Sequence, residues 1–259
     1  MCVQRLLQRA QVDAPLSSGA VATGSGGAVA TVDGDASRAG IEVLRRGGNA
    51  VDAAVAEAAT LGVTDSREGP HTTNVVTSDR WGNVVGYTLT IEQTGGNGIV
   101  VPGRGFLLNN ELTDFNFAPT QGTQPDPNLP AAGKRPRSSL APTIILRNGV
   151  TVLVVGSPGR ATIITTVLQI LVHRLDLGMI LPEAIAAPRT SQRNTGTTEA
   201  ESEFLNRYET ALKAQDQQFS TNSEIGAATG LEFFASGKVC AAAEPVRRGG
   251  GSALVEHPG

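Results

Sequence analysis

Two β-branched runs meet at Asn148-Gly149 in the stretch PTIILRNGVTVLVVGSPG. Asn-Gly accepts the positive backbone angles of a two-residue hairpin turn, and β-branched residues fit a pleated surface. The chain is therefore required to double back here as an antiparallel pair. The same pattern recurs at Thr72–Ser78 and 83–90, joined by DRWGN, and in GLEFFASGKVCAAAE, which turns over Ser-Gly. GIVVPGRGFLLNN reads as a further strand with Gly bends, and GGSALVE as a closing strand. Hairpins in series exclude strict βαβ alternation and point to antiparallel-rich sheets covered by helices, an α+β layered body.

The helical signals fall between the hairpins. Asp35 is a candidate N-cap for ASRAGIEVLRRGG, which Gly47 and Gly48 end. Asn49 caps the next helix, AVDAAVAEAATLGV, whose alanines permit close interhelical packing. Residues 35–62 thus form a tight helical hairpin, read as scaffold. ATIITTVLQILVHRLDLG is apolar on nearly every side and is expected to be a buried helix. LPEAIAAPR is a short helix stopped by Pro188, and EFLNRYETALKAQ an amphipathic surface helix. Residues 1–28 are polar and rich in Gly and Ser, and are expected to be poorly ordered at the start. Residues 190–200 read as a Thr- and Asn-rich loop. Residues 116–137 form a long Pro-rich loop, of a length usually reserved for a site or for disorder.

Composition removes several function classes. A formal net charge of −3 gives no long-range attraction for nucleic acid or anionic lipid. GKRPR and VRRGGG are short and read as solvated loops, and the arginines of RRGGN complement a helix C-terminus. Cys2 and Cys240 have no metal spacing, and Cys240 in VCAAA reads as a core residue. His71, His173 and His257 show no zinc-like pairing, and no apolar run approaches membrane-spanning length. The start, MCVQRLLQRAQVDAPLSSGA, lacks an apolar h-region, so the default expectation is cytoplasmic.

One chemical feature stands out in REGPHTTNVVTSDRWGNVVGYTLT: two threonines after a Gly-Pro break, at the head of a strand. Threonine is a good strand former, which alone accounts for the pair. A threonine at a new chain N-terminus has another use, because its own α-amine can take the hydroxyl proton. Attack by that hydroxyl on the preceding carbonyl, of His71, would make the terminus by cutting the backbone.

The blocks HTTNVVTSDRWGNVVGYTLT, GIVVPGRGFLLNNELTDF, GKRPRSSLAPTIIL and VVGSPGRATIITTVLQ, in that order, resemble the small catalytic subunit of γ-glutamyltransferases (glutathione hydrolases). These are N-terminal nucleophile hydrolases, so the resemblance implies an αββα layered sandwich. It covers essentially all of residues 72–259, and residues 29–71 resemble the beginning of the large subunit. It implies that Thr72 is the nucleophile, released by cleavage of the His71–Thr72 bond, and that Thr88 orients it. Thr90 stands where many members have Asn and is expected to contact substrate. Glu111 and Asp114 in NNELTD, by themselves a polar turn, would hold the substrate's α-amino group. Ser138 and Ser139 would bind its α-carboxylate. The backbone N–H groups of Gly159 and Arg160 would stabilise the oxyanion. No cofactor or metal is implied; the expected partners are a small γ-glutamyl substrate such as glutathione and the chain's own fragments after cleavage. Members of the family are often exported.

Two departures stand out. Arg160 replaces the second Gly of the family's Gly-Gly pair, which strains the backbone if that position needs a positive φ. Most of the large subunit is absent: after TLGVT, DSREGP runs directly into HTTN. No residue matches the family's substrate-carboxylate Arg. The alternatives are an inactive or partner-dependent truncated homologue, or a related cephalosporin (glutaryl amide) acylase.

Overall fold

A computed structural model describes residues 19–64, 72–120 and 122–257. The candidate cleavage residue His71 lies outside them, as does Cys2. Two β-sheets face each other. One has four strands in the order β12 (Ser252–Val255), β2 (Ala28–Thr31), β3 (Thr72–Ser78) and β4 (Val84–Thr90). The other has five: β1 (Val21–Gly24), β11 (Val239–Ala243), β10 (Thr229–Phe233), β6 (Val150–Gly156) and β5 (Thr143–Arg147). Every pairing within these two sheets is antiparallel.

The two-residue side-chain period sorts each strand between two cores. Ala28 and Ala30 meet Val76, Val154, Leu231, Ala241 and Ala243 between the sheets. The intervening Val29 faces outward onto Ile41 and Leu44 of α1 (Gly34–Arg45) and Ala53 of α2 (Ala50–Thr64). Leu153, Val155 and Ala242 likewise turn outward, onto Val167 and Ile170 of α3 (Ile163–Leu171) and Leu181 and Ile185 of α4 (Leu181–Ala186). The layers are α, β, β, α, as expected. Strands buried on both faces read as continuous apolar runs.

The helical hairpin forms with one change at its entrance. Asp33, not Asp35, is the N-cap of α1; its carboxylate accepts from Asp35 N and Ala36 N. Asn49 caps α2 as expected, accepting from Val51 N and Asp52 N. The helices approach so closely at Gly40 that a Cβ there would overlap the buried carboxyl of Glu57.

Other expectations change. Residues 19–28, assigned by composition to a poorly ordered start, include β1, which pairs with β11. GIVVPGRGFLLNN forms only an isolated bridge, Val100 to Leu107, because its glycines adopt positive φ and turn the chain. The helix expected after GSPGR begins as a 3-10 turn, ends in a π-helical turn at Val172–Asp176, and is buried on one face only, with Ile164 and Leu168 more than half exposed on the other. The 190–200 loop contains β7 (Thr190–Ser191) and β8 (Thr198–Ala200), in a small sheet with β9 (Phe219–Thr221). EFLNRYETALKAQ forms α5 (Ser202–Lys213) up to its last two residues, Ala214 and Gln215, which lie beyond the helix end. Among the described residues, no helix is long and apolar enough to cross a membrane.

Candidate active site

Thr72 is the first residue of β3 and only 3% exposed. The ladder register places it opposite Thr90, the last residue of β4. Its Oγ1 donates to Thr90 Oγ1 at 3.1 Å, and Thr90 Oγ1 also accepts from Glu92 N at 2.8 Å. Thr88, expected to orient Thr72, lies one side-chain repeat away, opposite Asn74. Its hydroxyl donates to Asn74 Oδ1 at 2.7 Å. The partner of Thr72 is therefore Thr90, and the physical reason is register. Thr88 instead belongs to a joint between the sheets, completed by Asn74 Nδ2 donating to Thr229 Oγ1 at 2.8 Å.

Thr72 opens into a cavity of about 740 Å³. On one wall, the 3-10 turn Glu111–Asp114 carries two carboxyls. Glu111 is pushed up to about 7, first by burial and then by the charges of Asp114 and Glu92. Ser138 and Ser139 line the same cavity. The loop that presents them is built rather than slack. Asn128 Nδ2 donates to Asp114 O at 2.6 Å, while its Oδ1 accepts from Arg137 N at 2.8 Å. One carboxamide thus ties the acidic turn to the serine segment. Asp126 supports it by accepting from Thr120 N and Asn116 Nδ2.

Gly159 and Arg160 follow the end of β6 and also line the cavity. Gly159 has φ 143°, and a Cβ there would lie 2.8 Å from Thr162 Oγ1 and 3.2 Å from Gly226 Cα. Only glycine fits this point. Neither backbone N–H donates to another described residue in the hydrogen bonds around the turn, whereas Gly159 O accepts from Thr162 N and Oγ1. Arg160 has φ 51°, the strained left-handed conformation that the loss of the second glycine implied. Its guanidinium lies 3.9 Å from Glu92, itself at φ 69°.

Several cavity residues were not singled out from sequence. Glu92 lies two positions beyond GYTLT, and only the β4 register brings it to the site. The loop carrying Asn222, Glu224 and Gly226 closes another side. VRRGGG, expected to be a solvated loop, is otherwise placed. Arg247 is buried and donates to Glu201, Glu244 and the carbonyls of Ile185 and Ala187, while Arg248 faces the cavity. Arg189, also fully buried, bonds Glu244 and Ile225 O, and Glu201 accepts from Ile225 N. This ionic cluster holds the backbone beside Gly226 in place. In GKRPR, Arg137 reaches the cavity wall.

The cavity combines a buried hydroxyl, a carboxyl pair, hydroxyl donors and a turn with free backbone N–H groups. Such a set fits acyl transfer from a substrate with a zwitterionic head.

Comparison with known proteins gives a consistent result. A family model described as Gamma-glutamyltranspeptidase matches residues 36–69 and 64–254. The chain is 50% identical over 125 residues to the glutathione hydrolase proenzyme of Bacillus subtilis, covering 48% of this chain and 20% of that one. It is 35% identical over 184 residues to that of Escherichia coli, covering 69% and 32%. It also resembles a crystal structure of the Helicobacter pylori gamma-glutamyltranspeptidase T380A mutant, with TM-score 0.60 and 35% identity. That match covers 66% of this chain and 98% of the other. The chain therefore spans about a fifth to a third of the length of these curated relatives.

Proposed function

The chain belongs to the gamma-glutamyltranspeptidase family, and on that premise we propose that the cavity at Thr72 cleaves γ-glutamyl amides such as glutathione. The observation that carries this reading is the Thr72 hydroxyl, held by Thr90 at the edge of a cavity lined by Glu111, Asp114, Ser138 and Ser139.

Cleavage between His71 and Thr72 frees the Thr72 α-amine, which accepts the proton from Oγ1. The oxygen attacks the γ-glutamyl carbonyl, and negative charge develops on the carbonyl oxygen. The N–H groups of Gly159 and Arg160 stabilise that charge. The amide C–N bond breaks, and the leaving amine takes the proton. Water or an amine then attacks the Thr72 ester, releasing glutamate or a new γ-glutamyl amide and restoring the hydroxyl. Glu111 and Asp114 accept from the substrate ammonium, while Ser138 and Ser139 donate to its carboxylate.

Denaturing electrophoresis with N-terminal sequencing tests the reading. A fragment beginning at Thr72 and turnover of γ-glutamyl-p-nitroanilide are the expected results. An intact, inactive, well-folded chain would refute it.

A second reading, a fragment that works only with a partner chain, is favoured by exposed apolar side chains. Leu146 on β5 is 58% exposed and Val150 on β6 66%. Under this reading the chain stays soluble and cleaves itself only when co-produced with that partner.

A further inference from the structure

Among the described residues, the start of β3 has a strand neighbour on one side only: β2 pairs with Val76–Ser78, and Thr72–Val75 have β4 as their ladder partner. The Thr72 carbonyl is met instead from 176 positions along the chain: Arg248 Nη1 donates to it at 2.8 Å. We propose that Arg248 is a positioning residue for the nucleophile, clamping the Thr72 peptide so that its hydroxyl and chain end face the cavity. This rests on the reading of Thr72 given above.

The surroundings fix Arg248 as a clamp. It adopts φ 54°, a left-handed conformation that glycine would take without strain. Glycines follow it at 249 and 250, both with positive φ. Just before it, Arg247 is locked into the buried cluster by Glu201 and Glu244. Arg248 N donates to Glu224 Oε1 at 3.2 Å, and Gly250 N donates to Arg247 O at 3.1 Å. The turn is thus held from both ends, with the guanidinium directed at Thr72. A charged donor on a carbonyl makes a stronger and more directional bond than a neutral one. The Thr72 carbonyl carbon is bonded to the Cα that bears the side chain and the α-nitrogen. Holding the carbonyl therefore limits rotation about the Cα–C bond and so fixes where the Cα carries its side chain and nitrogen, while Thr90 holds the hydroxyl itself.

The test uses the full chain with Arg248→Lys, Arg248→Gln and Arg248→Gly. Threonine labelled with 13C at the carbonyl and 15N at the amide reports only Thr-Thr pairs, at 72–73, 165–166 and 197–198. Thr72→Ser assigns the first. The Thr72 carbonyl resonance is expected to move upfield in the Gln and Gly variants and to stay near the parent position in the Lys variant. The other two pairs serve as controls and stay fixed. Formation of the Thr72 terminus is expected to slow by about ten- to a hundredfold in the Gln and Gly variants, with partial rescue by Lys. Arg248→Gly should melt no lower than the parent, which separates positioning from folding. An unmoved carbonyl resonance, or an Arg248→Gly chain that cuts itself at the parental rate, overturns the proposal. If the parent never cuts itself, the acyl-transfer reading fails, and the carbonyl resonance still decides whether Arg248 clamps Thr72.

Discussion

Thr72 and Thr90 share one hydrogen bond, 3.1 Å between their hydroxyl oxygens, because the β3–β4 register sets them opposite each other. Asn74 and Thr88, two positions along, face the other sheet, where Asn74 reaches Thr229. Holding the Thr72 hydroxyl and joining the sheets are thus adjacent but separate tasks on the same strand pair.

This separation predicts opposite outcomes for two similar substitutions. Thr90→Val removes the partner of Thr72 and should slow self-cleavage by about ten- to a hundredfold, with little loss of stability. Thr88→Val leaves Asn74 Oδ1 without its buried donor and should cost about 1–3 kcal/mol of stability. Urea titration and the rate of appearance of the Thr72 terminus, measured on both variants, check this. A slower Thr88→Val alongside an unaffected Thr90→Val would restore Thr88 as the orienting residue.

At the Gly159-Arg160 turn the two neighbours should respond in opposite directions. Gly159→Ala places a Cβ against Thr162 and Gly226 at a φ that only glycine accepts, and should lower stability by about 1–3 kcal/mol. Arg160→Gly relieves a left-handed arginine and should raise stability by about 1 kcal/mol. Thermal melts of the two variants read both signs directly.

Glu111 makes stability depend on pH. Its folded value near 7 lies above the unfolded carboxyl value of about 4.3, so the folded chain holds the extra proton between them. Its contribution is therefore fully present below about pH 4 and is lost as pH rises through 7. Glu111→Gln should flatten this part of the profile by less than about 1 kcal/mol, since the site is partly solvated. Binding of a substrate ammonium should instead strengthen as pH rises through 7, when Glu111 ionises. Denaturant midpoints and inhibitor affinity at pH 5 and pH 8 would show the opposed trends; parallel trends would count against them.

The buried ionic cluster supports the cavity from below. Arg189→Met removes a fully buried cation that bonds Glu244 and the Ile225 carbonyl. Breaking one side of such a cluster should cost about 3–5 kcal/mol. The loop at Asn222–Gly226 should loosen with it, and amide exchange at Ile225 and Ala227 is the direct readout.

What the sequence determined by itself was local. Asn148-Gly149 specified a hairpin, the β-branched runs specified strands, and the order of four motif blocks carried the family resemblance that singled out Thr72, Glu111, Asp114, Ser138, Ser139, Gly159 and Arg160, which only the fold brings to one cavity. Those signals are contained in short stretches whose chemistry does not depend on distant neighbours. The tertiary structure decided which threonine meets Thr72, because ladder register is fixed by both strands and by the burial of their faces. It also turned the solvated-looking pair Arg247-Arg248 into a buried anchor and a clamp on Thr72. Neighbouring arginines read alike in sequence, and only the elements folded around them separate their environments.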